Sequence, residues 1–100
     1  EISIYRITQE WVNNLIKYSD ASKVTIQLTQ DENEITLMIE DNGMGFELEL
    51  LKSGTGNGWR NMNSRANLIK GDLEVDTTPG IRGNTMIVNA SLITEVVHQP

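Results

Sequence analysis

The sequence predicts an α+β fold, a two-layer sandwich in which helices cover one face of a mostly antiparallel, mixed sheet. Three observations carry that expectation. Two stretches place apolar residues at helical spacing, four stretches alternate with period two, and a glycine-rich segment separates the first helix and hairpin from the second half. At 100 residues the chain has the length of one small domain, taken here as 1–100. A chain of that size buries somewhat over ~60% of its unfolded surface, enough for one modest core.

Residues 2–18 read as a helix, because Ile4, Ile7, Trp11, Leu15 and Tyr18 form one apolar stripe that Val12 and Ile16 widen. Val24, Ile26 and Leu28 alternate with Thr25 and Gln27 as a strand. Asp31-Glu32-Asn33 then turns into a second strand, closing a hairpin. Residues 43–58 hold five of the eight glycines and are expected to be loop. Trp59, Met62, Ala66 and Ile69 mark a second helix, stopped by Gly71, with Lys70 in the last turn where a cation suits the dipole. Leu73–Thr77 and Thr85–Ile93 read as strands joined by a turn at Thr78-Pro79-Gly80.

Composition narrows the chemistry. Cysteine is absent, and the one histidine, His98, lies near the end of the sequence, so thiolate and histidine-based metal sites are excluded. Net charge is −6, with the basic residues scattered, which argues against a nucleic-acid surface. No apolar run approaches the roughly 18 residues of a membrane span and no signal peptide opens the chain, so a cytoplasmic setting is expected. An anionic small ligand remains open, with Lys17, Arg60, Arg65 and Arg82 as the candidate cations.

The strand of Ile35, Leu37 and Ile39 ends in Asp41, and one further step of the alternation puts that carboxylate on the apolar face. An inward acid is costly unless a donor meets it. In Asp41-Asn42-Gly43-Met44-Gly45 the two glycines allow a sharp turn and a close approach. The segment reads as the floor of a pocket whose ligand carries an N–H donor, although Asp-Asn-Gly is also an ordinary turn sequence.

Two further elements accompany it. Glu10 and Asn14 are four apart on the first helix, with Lys17 three residues on. An amide oxygen beside a carboxylate suits Mg²⁺, a hard cation that keeps several waters. Glu10 would orient such a water or accept a proton, and Lys17 would reach a phosphate. Polar residues on a solvated helix face would look the same. Gly54-Thr55-Gly56-Asn57-Gly58, just before the second helix, has the make-up of a phosphate cradle at a helix N-terminus, as would a flexible connection. It is neither a Walker loop nor a dinucleotide fingerprint, since no Lys-Ser or Lys-Thr follows and the third glycine comes one residue early.

Together these segments resemble the N, G1 and G2 boxes of the GHKL ATPases, the superfamily of histidine kinases, gyrase, mismatch-repair ATPases and certain chaperones. Arg6-Ile7-Thr8-Gln9-Glu10 followed by Asn13-Asn14 resembles the short-lid kinases that partner helix-turn-helix response regulators. Gly56-Asn57-Gly58-Trp59-Arg60-Asn61-Met62, then Arg65-Ala66 and Gly71, is similar to the G2 segment of the same subfamily. Arg82-Gly83-Asn84-Thr85 stands where relatives often read Gly-x-Gly-Thr, and Tyr18 where the subfamily more often has histidine.

The resemblance implies the Bergerat sandwich, with residues 46–55 as a short ATP lid. It implies ATP and Mg²⁺ as ligands, Asn14 holding the metal and Glu10 acting through a water or as proton acceptor. Lys17 and Tyr18 would face the phosphates. Asp41 would accept the adenine amino hydrogen, and Gly43 and Gly45 would shape the turn so that the base lies against the backbone. Gly54, Gly56, Asn57 and Gly58 would close over the phosphates, and Thr85 would support Asp41 through its hydroxyl. The implied function is transfer of the γ-phosphoryl of Mg-ATP to a histidine on a separate dimerisation domain. The chain is then a monomeric piece of a longer, dimeric protein that signals to a response regulator. A stand-alone anti-sigma-factor serine kinase and a non-catalytic nucleotide-binding docking module are the alternatives.

Overall fold

The computed structural model describes residues 2–52 and 58–91. Helix α1 (Ile2–Tyr18) leads into the antiparallel hairpin of β1 (Val24–Gln30) and β2 (Glu34–Met44). A short helix α2 (Leu48–Lys52) and the longer α3 (Gly58–Leu68) follow, and β3 (Gly71–Asp76) and β4 (Arg82–Ser91) complete the order.

The expected strand and helix types all form, and the strands assemble in the order β1-β2-β4-β3 with every pair among them antiparallel. Their registers line up inward rows across the sheet. Ile26, Ile39, Met86 and Val75 make one row, and Leu28, Leu37, Val88 and Leu73 the next. Helix α1 lays Ile4, Ile7, Trp11 and Leu15 over these rows, and α3 adds Met62 and Ala66. Each fully buried apolar side chain of this kind contributes about 1.5–3 kcal/mol relative to exposure. Trp11 also meets Phe46 at 6.3 Å between ring centroids, which pins the chain just after β2 beneath α1.

Four local features depart from the sequence reading. Residues 43–58 are not all loop, because β2 runs on to Met44 and α2 forms inside the segment. Asp41-Asn42-Gly43-Met44 is therefore strand, with a register shift against β4 between Asp41 and Met44. The helical stripe is narrower than expected, since Ile16 is 75% exposed. Residue Lys70, at φ 55°, takes the left-handed position after α3, and Gly71 begins β3. Strand β1 supplies the right alternation, yet Val24, Ile26 and Leu28 stay 40–54% exposed, because β1 is a sheet edge beyond the reach of α1.

Candidate functional site

Beyond the two apolar rows, the sheet carries a polar one. Asp41 on β2 stands opposite Asn84 on β4, and both are buried, 8% and 2% exposed. Asn84 Nδ2 donates to both Asp41 carboxylate oxygens, at 2.8 and 3.1 Å. The Asn84 amide is itself held in place: Thr77 Oγ1 donates to Asn84 Oδ1 at 2.5 Å and accepts from the Phe46 backbone N–H at 3.0 Å. The inward acid is thus met by a donor within the chain, as burial of a charge demands.

A cleft of about 540 Å³ opens at Asp41, lined also by Asp20, Ser22, Asn42, Arg82 and Gly83. Its volume falls within the range of small-molecule sites, roughly 300–1,000 Å³. Arg82 braces the wall, pairing with Asp20 at 3.1 Å and donating to the Asn42 carbonyl at 3.0 Å. The Arg82 guanidinium, followed by the Met44 N–H, holds the Asp20 carboxyl below its ordinary value. Arg82, one of the candidate cations, is thus engaged with Asp20 and the Asn42 carbonyl.

Helix α1 forms a second polar centre. Asn14, 7% exposed, donates from Nδ2 to the Glu10 carbonyl at 3.1 Å, and its Oδ1 takes no donor among the described residues. Glu10 is half-buried beside it. The start of α3 comes directly against this pair: a Cβ on Gly58 would lie 2.8 Å from Glu10 Oε1 and 3.5 Å from Asn14 Nδ2. Without a side chain at Gly58, the helix N-terminus, with its partial positive charge, comes close to the tip of Glu10 without displacing it. Lys17 lies exposed in the last turn of α1.

Other expected residues stand differently. A Cβ on Gly45 would run into the Thr78 carbonyl oxygen and lie 2.7 Å from the Ile81 carbonyl oxygen. A Cβ on Gly43 would overlap Ser19 Oγ. The chain's own backbone and side chains make the close approach at both glycines. Thr85 is on the wrong face to support Asp41: it pairs in register with Glu40, and period-two alternation turns it away while Asn84 turns inward. Gly54, Gly56 and Asn57 lie outside the described residues, as does the Tyr18 side chain.

Asn84 and Thr77 were not among the residues singled out from sequence. A signal for Asn84 existed, since it is in phase with Met86, Val88 and Ala90, the buried face of β4. Thr77 carries no such mark, because its partner Asn84 is brought to it by strand pairing.

The sequence pattern of the histidine kinase-, DNA gyrase B- and HSP90-like ATPases matches residues 1–93. The chain belongs to this ATPase family. Among relatives of this ATPase domain, the signal transduction histidine-protein kinase/phosphatase DegS of Brevibacillus brevis is 35% identical over 95 residues, covering 95% of this chain and 24% of that protein. DegS of Bacillus subtilis (strain 168) is 32% identical over 89 residues, covering 87% and 23%. The oxygen sensor histidine kinase NreB of Staphylococcus carnosus (strain TM300) is 36% identical over 77 residues, covering 77% and 22%. The chain spans under a quarter of the length of these relatives. In fold it resembles the Acinetobacter baumannii histidine kinase AdeS, with a TM-score of 0.76 at 24% identity over 92% of this chain and 47% of that one. The histidine kinase domain of Erythrobacter litoralis EL346 gives 0.69 at 19% identity, over 90% and 43%. No helix among the described residues is long and apolar enough to cross a membrane.

Proposed function

We propose that this ATPase-family domain is the catalytic part of a two-component sensor histidine kinase, binding Mg-ATP and donating its γ-phosphoryl to a histidine on a separate dimerisation domain. The observation that carries this reading is the meeting of Glu10 and Asn14 with the N-terminus of α3 at Gly58. A carboxylate and the Asn14 amide meet a helix N-terminus there, groups that suit a metal-bound polyphosphate. Asp41, held by Asn84, accepts the amino hydrogen of adenine in the cleft at the end of β2.

The donor set suits magnesium. No group of three or more acidic or histidine side chains gathers among the described residues, so the protein offers Asn14 Oδ1 and a water-orienting Glu10 rather than a full cage. Asn14 and a water oriented by Glu10 would hold the Mg²⁺, which would supply charge neutralisation at the phosphates. By the resemblance, Lys17 and Tyr18 would face the phosphates, and Gly54, Gly56 and Asn57 would close over them. Glu10 takes the proton displaced when the acceptor imidazole nitrogen bonds to phosphorus and the bond to the bridging oxygen of ADP breaks. Positioning and charge stabilisation supply most of the rate, as is general for phosphoryl transfer. The domain acts where ATP is, in the cytoplasm, as a monomeric module of a dimeric parent that passes the phosphoryl to a response regulator.

Calorimetric titration with a non-hydrolysable ATP analogue, with and without Mg²⁺, tests the reading. Binding strengthened by Mg²⁺ and abolished in Asp41→Ala is expected. Phosphoryl transfer to a histidine-bearing helical-hairpin domain added in trans is the second expected result. A folded domain that binds no nucleotide would refute the proposal.

A further inference from the structure

A second recess lies between α1 and α3, on the side of Glu10 away from Asn14. As α3 advances from Gly58, its neighbours on α1 run backwards from Asn14 and Glu10 to Arg6, so the two helices are antiparallel. Between them Arg6, Gln9, Glu10, Asn13, Asn61 and Arg65 line a cleft of about 190 Å³. No apolar side chain faces it. Its volume is below the roughly 300–1,000 Å³ of small-molecule sites and suits one side chain rather than a nucleotide.

The charges are unusual for this chain. Two guanidinium groups face one carboxylate, leaving the recess cationic by one in a protein of net charge −6. No ion pair involves Arg6 or Arg65 among the described residues, where Arg82 pairs with Asp20. Arginine forks bind carboxylates two bonds at a time, and the three amides can supply the remaining donors. The Glu10 carboxylate also faces the recess and repels a multiply charged anion, which favours a monoanion over a phosphate.

We infer that this recess is a docking socket for an acidic side chain of the domain that presents the phosphoacceptor. The inference rests on the function proposed above and names how that partner is held. Glu10 is shared: one side faces Gly58 and the proposed phosphates, the other faces the recess. A carboxylate seated between Arg6 and Arg65 is therefore beside Glu10 and beyond it from the nucleotide. It belongs to the acceptor, and it fixes the acceptor's approach to the group that takes its proton.

The test uses the full chain, a helical-hairpin phosphoacceptor domain as probe, and three readouts: direct hairpin binding, affinity for the Mg-ATP analogue, and transfer kinetics. Arg6→Gln with Arg65→Gln should weaken hairpin binding at least tenfold, flatten its salt dependence and raise the KM for the hairpin. The nucleotide affinity should stay within twofold. Arg6→Lys with Arg65→Lys, which keeps charge and fold but loses the fork, should fall between. Lys70→Gln, the same charge change elsewhere, should alter neither.

Nucleotide affinity that falls while hairpin binding holds would assign the recess to the nucleotide and overturn the inference. Variants unchanged in both, or a wild-type chain that binds no hairpin, would also overturn it. Arginine-dependent hairpin binding without any phosphoryl transfer would support the socket while refuting the phosphotransfer reading.

Discussion

Asn84 contacts both carboxylate oxygens of Asp41, and Thr77 fixes which end of the Asn84 amide does so. The three residues come from three adjacent strands or strand ends, and each satisfies the next. Asn84→Leu would strand the Asp41 carboxylate in the core and leave Thr77 Oγ1 only the 3.4 Å contact with the Phe46 carbonyl as acceptor. A loss of about 1–3 kcal/mol in denaturant-measured stability is expected for an orphaned buried group, more if the charge persists. Thr77→Val should weaken nucleotide binding less, because it frees the amide to rotate without removing it.

Asp41→Asn separates folding from recognition. The variant keeps shape and one acceptor oxygen for Asn84, but it can present a donor to the adenine amino group. The domain should remain folded by circular dichroism while affinity for the ATP analogue falls about a hundredfold, as polar mismatches at buried sites do. Unchanged affinity would remove Asp41 from the binding site.

The glycines at 45 and 58 differ in what surrounds them. Gly45→Ala drives a methyl into the Thr78 carbonyl, backbone that has little room to move, and should cost about 1–3 kcal/mol of stability. Gly58→Ala meets the tip of Glu10, a flexible side chain that can swing aside. Its stability should change by about 1 kcal/mol or less, while Mg-dependent nucleotide binding drops because Glu10 is displaced. Thermal melts paired with titrations distinguish the two.

Acid should loosen the contact between Asp20, ahead of β1, and Arg82 at the start of β4. Arg82 and the Met44 N–H hold Asp20 below the ordinary aspartate value, near 3.9. A depressed carboxyl contributes stability above its unfolded value and loses it as pH falls through the lower folded value. Asp20→Asn should therefore flatten stability against pH in the range below about 4. Because the pair is exposed, added salt should shrink the difference.

Much of this molecule was legible in one dimension. Spacing alone placed Ile4, Ile7, Trp11 and Leu15 on the buried face of α1, and Leu37, Ile39 and Asp41 on that of β2. Those assignments held because side-chain periodicity is a property of local backbone geometry. The same periodicity did not say that Ile16, Val24, Ile26 and Leu28 stay exposed, because how far a helix reaches across a sheet is not a local quantity.

The sequence by itself determined the element types, the inward direction of Asp41 and the ATPase family pattern. Only the tertiary structure decided what meets Asp41, why Gly43 and Gly45 are glycines, and that Arg6 and Arg65 share a recess with Glu10. Each of these depends on residues brought together by strand register or helix packing across dozens of positions. Alternation indicates which way a side chain points, but its partner is selected by the strand or helix that packs beside it.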